Sequence, residues 1–192
     1  MLIGICGFRG SGKDTVADLI GNSPSFENYE IVKRAFAYPL KTFVSGLFQL
    51  SEEQVNGSLK EVPDERWYGC TPRTAMQYVG TDFIREKLNT IMPGIGEDYF
   101  VKYHENWRNV TLKQHPNTLI LIPDLRFLNE YEYIKENGGI IIRVHREAVT
   151  PKKEDVVHKS ESEHLLFTDC LEIDNNDSIQ KLQDVLNKIF QS

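Results

Sequence analysis

Gly7-Phe8-Arg9-Gly10-Ser11-Gly12-Lys13-Asp14-Thr15 is the stretch of this chain that decides its fold. It follows a short apolar run, Leu2-Ile3-Gly4-Ile5-Cys6, and leads into Val16-Ala17-Asp18-Leu19-Ile20, which can form the first turns of a helix. Strand, glycine loop and helix in that order make a cradle for phosphate. Glycines let backbone N–H groups turn inward, and the helix N-terminus adds partial positive charge. Gly10, Ser11 and Gly12 would line the cradle, and Lys13 would reach the β- and γ-phosphates of a nucleoside triphosphate. A chance glycine-rich turn between a strand and a helix is the bland alternative. The complete pattern of Gly7, Gly12 and Lys13 in this context argues against it.

One position departs from the usual pattern. The residue after the lysine is normally Ser or Thr, whose hydroxyl binds Mg²⁺, whereas here it is Asp14, with Thr15 one place later. Two like charges 4 Å apart repel by ~4 kcal/mol at a moderate effective dielectric. A cation between carboxylate and phosphate reverses that sign. Asp14 with Thr15 is therefore a candidate Mg²⁺ contact, direct or through water. The alternative is an acid in a helix's first turn complementing its dipole.

At 192 residues the chain is expected to be one domain, long enough to bury a core. Hydrophobic content of 40% and charged content of 26% are ordinary for a globular protein. The net charge of −6 comes without a dense run of Lys or Arg, which argues against a nucleic-acid surface. Cys6, Cys70 and Cys170 are odd in number, far apart and without zinc spacing, so buried free thiols in a reducing cytoplasm are expected. No apolar run approaches membrane-spanning length, and a phosphate loop beginning at Gly7 leaves no room for a signal peptide. A cytoplasmic protein is expected.

Along the chain, residues 29–35 read as a second strand. A helix follows with Pro39 in its first turn and Leu40, Phe43, Val44, Leu47 and Phe48 at helical spacing. Thr71-Pro72 starts another helix whose apolar stripe would be Met76, Val79, Phe83, Leu88 and Ile91. A helix over about 98–113 precedes Thr118-Leu119-Ile120-Leu121-Ile122, an apolar run with the signature of a buried parallel strand. A helix over 129–137, a buried strand over 140–144, a charged segment over 146–163, a short strand at 171–173 and an amphipathic helix from Ile179 complete the reading. Strands alternating with helices indicate an α/β fold with a central parallel sheet.

Ligands of open parallel sheets sit outside the carboxyl ends of the strands. Asp124 ends an apolar run as a Walker-B-type acid would, or is a plain strand-ending Asp. Arg126 could clamp a phosphate or make a surface ion pair. Phosphoryl transfer needs several cations, because charge spreads over the oxygens of the moving group. Lys13, Lys41, Arg66, Arg73, Arg126, Arg143 and Arg146 are the candidates, with Arg73 at a capped helix start suited to a monophosphate. Arg146 opens the charged segment, which is either a lid over the triphosphate or a solvated loop. Trp67, Tyr68, Tyr38 and Phe36 are loop aromatics on which a base could stack. His104, His115 and His145 show no ligand spacing.

Gly10-Ser11-Gly12-Lys13-Asp14-Thr15 resembles the phosphate loop of the phage-type deoxynucleoside monophosphate kinases, within the P-loop nucleoside monophosphate kinase superfamily. Phe36-Ala37-Tyr38-Pro39-Leu40-Lys41 is similar to that family's Phe-Ala-Asp-Pro-Leu-Lys segment, with Tyr38 departing from its Asp. Thr71-Pro72-Arg73 resembles its Ser/Thr-Pro-Arg helix. Asp124-Leu125-Arg126-Phe127-Leu128-Asn129-Glu130 resembles its Asp-x-Arg-Phe-x-Asn-Glu motif, and His158-Lys159-Ser160-Glu161 its His-x-Ser-Glu lid element.

The resemblance implies a P-loop kinase with a helical acceptor-binding insertion around residues 40–115 and a lid around 146–163. It implies transfer of the ATP γ-phosphate to a deoxynucleoside monophosphate, with Mg²⁺ present. Lys13, the loop amides and Arg143 would hold the donor, and Asp14 and Thr15 the metal. Lys41, Arg66, Trp67, Arg73, Asp124 and Arg126 would form the acceptor site, while Arg126 and Arg146 stabilise charge in flight. No nucleic-acid or membrane partner is expected, and a homodimer is left open. The alternatives are another small-molecule P-loop kinase, of the dephospho-coenzyme A or phosphomevalonate type, and a nucleotide-hydrolysing switch.

Overall fold

The computed structural model describes residues 1–151 and 162–191. In chain order the elements are β1 (Leu2–Cys6), α1 (Lys13–Gly21), β2 (Glu30–Lys33), α2 (Tyr38–Phe48), α3 (Glu52–Val55), α4 (Pro72–Gln77), α5 (Tyr99–Gln114), β3 (Thr118–Ile122), α6 (Leu128–Glu136), β4 (Ile140–His145), β5 (Leu171–Asp174) and α7 (Ile179–Phe190). The strands form one sheet in the order β2-β3-β1-β4-β5, every pair parallel. The expected α/β architecture, a P-loop type central sheet flanked by helices, is the one observed. Among the described residues no helix is long and apolar enough to cross a membrane.

The chain divides into two compact units. One comprises Met1–Ala35 and the described chain from Asn106 onward; the other is Phe36–Glu105.

In the first unit, β1 and β3 are buried at every position, as a strand covered on both faces requires. Side chains alternate across the pleat. Ile3, Ile5, Leu119, Leu121, Ile142 and Val144 meet Val16 and Ile20 of α1 and Leu182 and Leu186 of α7 in one core. Gly4 faces the other way, and a Cβ there would lie 2.4 Å from the Cδ1 of Ile134 on α6. A side chain there would displace the tips of Ile134 and Leu125. Ser178 caps α7 by accepting from the Lys181 N–H at 3.3 Å.

The second unit is helical. Ser51 and Gln54 form a capping box on α3, and Thr71 caps α4 by accepting from the Thr74 N–H at 3.1 Å. Asp64 is nearly fully buried and organises the loop between them. It accepts from Arg66 Nε at 3.0 Å, Arg66 Nη2 at 2.6 Å and Gln54 Nε2 at 2.8 Å. These hydrogen bonds, that of Arg66 foremost, hold the Asp64 carboxyl well below the usual carboxylate range.

The stripe expected after Thr71 is corrected. From Tyr78 to Lys87 the chain is a π-helix, whose i→i+5 bonds widen the turn and break the 3.6-residue period. Phe83 and Ile91 are consequently 46% and 66% exposed, while Ile84 and Arg85 turn inward. Arg85 donates to the Glu97 carbonyl at 3.1 Å and lies 4.7 Å over the Phe100 ring. A second correction concerns Cys70, which is exposed rather than buried because it follows the tight turn at Tyr68 and Gly69, both at positive φ.

Truncating Ile142 to Ala is expected to cost about 2–5 kcal/mol of unfolding free energy by urea titration. A loss within the scatter of surface mutants would contradict the packing described. The Asp64 pair gives a pH signature. A depressed carboxyl pKa contributes stability that is present above the unfolded value of about 3.9 and is lost as pH falls through the folded value. The melting-temperature gap between the wild type and Asp64→Asn should therefore be full at pH 6 and narrow below about pH 4. A gap that widens on acidification would refute the pairing.

Candidate active site

β1 is the point at which the strand order reverses, since its neighbours β3 and β4 lead away to opposite sides. The crevice outside its carboxyl end is where such sheets bind ligands. The loop from Gly7 to Gly12 occupies that position. Gly7, Gly10 and Gly12 take φ values of 138°, 77° and 99°, accessible at low cost only to glycine. Gly12 is the N-cap of α1 and offers no side-chain cap, so the first N–H groups of the helix are available to an anion. The Ser11 hydroxyl is buried, yet has no hydrogen-bond partner among the described residues. A buried polar atom left unpaired costs roughly 1–3 kcal/mol, and a phosphate oxygen would satisfy it. Lys13 folds back over the loop, its Nζ donating to the Gly7 carbonyl at 2.9 Å and the Phe8 carbonyl at 2.8 Å.

Asp14 is exposed on the first turn of α1 with Thr15 beside it. Among the described residues no group of three or more His, Cys, Asp or Glu could hold a metal. Asp14 and Thr15 are nonetheless oxygen donors of the kind Mg²⁺ uses when phosphates and water complete its shell. These residues fit that cation.

The other strand ends bring further groups to the same edge. Arg146, just past β4, directs Nη1 to the Gly10 carbonyl at 3.4 Å. Asp124 and Arg126, past β3, are half-buried. Glu130 holds their segment in shape, its carboxylate accepting from the Arg126 N–H at 3.0 Å and the Phe127 N–H at 3.2 Å. Past β5, Asn175 donates to the Ser11 carbonyl at 2.8 Å. Sequence reasoning assigned no role to Glu130 or Asn175. Glu130 sits at the third position of α6, where a capping acid belongs, but Phe127 occupies the cap in place of Ser or Thr and hides the signal.

Arg143 does not approach the loop through any bond described. Its guanidinium donates to Glu172 Oε1 at 2.8 Å and to the carbonyls of His164 and Phe167 at 2.9 and 2.6 Å. Cys6 ends β1 directly beneath the loop, wholly buried. A hydrogen bond with Cys170 and burial both push its thiol well above the usual range, so it stays uncharged there.

The remaining candidates lie in the helical unit. Lys41 donates to Asn56 Oδ1 at 2.8 Å. Arg66 is engaged with Asp64, and Arg73 pairs with Glu61. Trp67 donates from Nε1 to the Phe48 carbonyl at 2.8 Å and lines an apolar cavity of about 330 Å³ with Phe48, Pro72 and Tyr78. Phe36 is buried against His104, with ring centroids 5.0 Å apart, and so leaves no face for a base. The expected lid element at His158, Lys159, Ser160 and Glu161 lies outside the described residues.

No family model matches the chain. A protein of Acanthamoeba polyphaga mimivirus named "Putative deoxynucleotide monophosphate kinase" is 41% identical over 165 residues, covering 85% of this chain and 81% of that protein. Identity of that order across four-fifths of both sequences, with a glycine loop at the switch point of the sheet, leads to one conclusion: the chain belongs to the deoxynucleotide monophosphate kinase family and is a nucleotide kinase.

Proposed function

We propose that the protein transfers the γ-phosphate of ATP to a deoxynucleoside monophosphate, giving a deoxynucleoside diphosphate and ADP. The observation that carries this reading is the glycine cradle with its unpaired, buried Ser11 hydroxyl at the N-terminus of α1, in a chain similar to the mimivirus protein. The loop amides at Gly10, Ser11 and Gly12 hold the β- and γ-phosphates. Lys13 exchanges its two carbonyl partners for phosphate oxygens. Mg²⁺, held beside Asp14 and Thr15, would neutralise charge on the β- and γ-phosphates when bound.

An oxygen of the acceptor monophosphate attacks the γ-phosphorus as the bond to the β–γ bridging oxygen breaks, and that oxygen leaves with ADP. The acceptor is already an anionic nucleophile, so no general base is required. In this proposal Arg146 and Arg126 compensate the charge in flight. Asp124 orients the acceptor's sugar. Within the helical unit Lys41 keeps donors to spare, because Asn56 takes one of its three and no acid neutralises it among the described residues. Arg143, Arg66 and Arg73, committed to Glu172, Asp64 and Glu61, serve the fold. Trp67 stays a candidate wall for the acceptor base.

A panel of deoxynucleoside monophosphates, dephospho-coenzyme A and phosphomevalonate, read by ADP release, tests the proposal. Turnover with a deoxynucleoside monophosphate is expected. Turnover only with another acceptor, or ATP hydrolysis that needs none, would overturn it. Lys13→Ala is expected to lower kcat by about 10²–10³-fold, as loss of a preorganised charge does. Its melting temperature should stay within a few degrees of the wild type. Undiminished turnover by the purified variant would remove Lys13 from the mechanism.

A further inference from the structure

The turn between β5 and α7 grips the phosphate loop from outside. The Asn175 Nδ2 donates to the Ser11 carbonyl at 2.8 Å, and a Cβ at Gly12 would lie 2.3 Å from that same nitrogen. Asn175 is itself fixed, since its backbone N–H donates to the His145 carbonyl at the end of β4 at 2.7 Å. The neighbouring Asn176 accepts from the Glu147 N–H at 2.8 Å, next to Arg146, whose Nη1 reaches the Gly10 carbonyl.

A trans peptide is planar, with its C=O and N–H pointing in opposite directions. Pinning the Ser11 carbonyl therefore fixes the direction of the Gly12 N–H, which is turned away from Asn175. Gly10 and Gly12 are the most freely rotating residues of the loop, and nothing in their side chains can hold them at positive φ. The loop's own bond, from the Ser11 N–H to the Phe8 carbonyl at 3.1 Å, leaves the Ser11–Gly12 peptide unconstrained.

We propose that Asn175 is a positioning residue for the donor phosphates: its amide sets the Ser11–Gly12 peptide so that the Gly12 N–H is presented to the anion before any ligand arrives. The fit is specific to asparagine. A glutamine would drive its longer side chain into Gly12, and an aspartate would set a carboxylate oxygen against the Ser11 carbonyl. The inference rests on the reading of this loop as the ATP phosphate site, so its test reads ATP binding separately from transfer.

Asn175→Ala and Asn175→Asp are compared with the wild type by calorimetric titration with ATP, steady-state KM for both substrates, and thermal melting. The expected result is ATP affinity lowered about tenfold in the alanine variant, the upper range for one lost hydrogen bond, and lowered further in the aspartate variant. The KM of the acceptor should move less than twofold, and the melting temperature only a few degrees. Unchanged ATP affinity overturns the proposal. So does an equal loss for both substrates accompanied by a large drop in melting temperature, which is the pattern of a merely structural role. Wild-type protein that binds ATP but phosphorylates no deoxynucleoside monophosphate sinks the functional reading alone, and the Asn175 comparison still decides this one. Wild-type protein that binds no ATP overturns both.

Discussion

The carboxyl end of β1 is a place where backbone must lie against backbone. A Cβ at Gly7 would stand 2.4 Å from the Val144 carbonyl oxygen, and one at Gly12 would collide with Asn175. β1 can carry the loop into the crevice only because these positions have no side chain. The consequence is a short stretch of chain with little preference of its own, shaped by what surrounds it: β4 on one side, the β5–α7 turn on the other. The sheet supplies rigidity, the glycines supply access, and the start of α1 supplies the partial charge.

Under the proposed function an acidic protein, with a formal charge of −6, holds a polyanion. In that reading attraction comes from fixed dipoles and from side-chain cations at close range, and the overall charge of the surface matters little beyond a Debye length of about 8 Å. Several of the arginines that look suited to phosphate are committed elsewhere. Arg143 joins β4 to β5 and to the carbonyls of His164 and Phe167, and Arg66 closes a fork on Asp64. Arginine suits both tasks for one reason: its planar set of donors matches carboxylate and phosphate alike.

This ambiguity marks where the sequence was legible and where it was not. The strands could be read because a buried parallel strand is apolar at successive positions, as in Thr118–Ile122, and the loop could be read because its glycines and lysine occur at a mechanistically required spacing. The stripe through Phe83 and Ile91 could not, because a period of 3.6 is assumed in reading it and the chain adopts a wider turn there. The partners of Arg143 and Asn175 were hidden for a different reason. Nothing local distinguishes an arginine facing a ligand from one facing a carbonyl 21 or 24 residues away, and Asn175 acts across 164 residues of chain. Local pattern carries the elements; long-range pairing carries the site.

The same pairing has a bearing on biosynthesis. Leu2 pairs with Ile120 and Ile3 with Ile140, so β1 has no neighbour in the sheet until more than a hundred further residues have been synthesised. Until then Leu2–Cys6 is an apolar segment with both edges open, the kind that seeks alternative partners. The loop that follows must wait longer still, for Asn175. Contacts of such long range slow folding. β1 and the loop after it are thus completed only together with later strands of the sheet, never ahead of them.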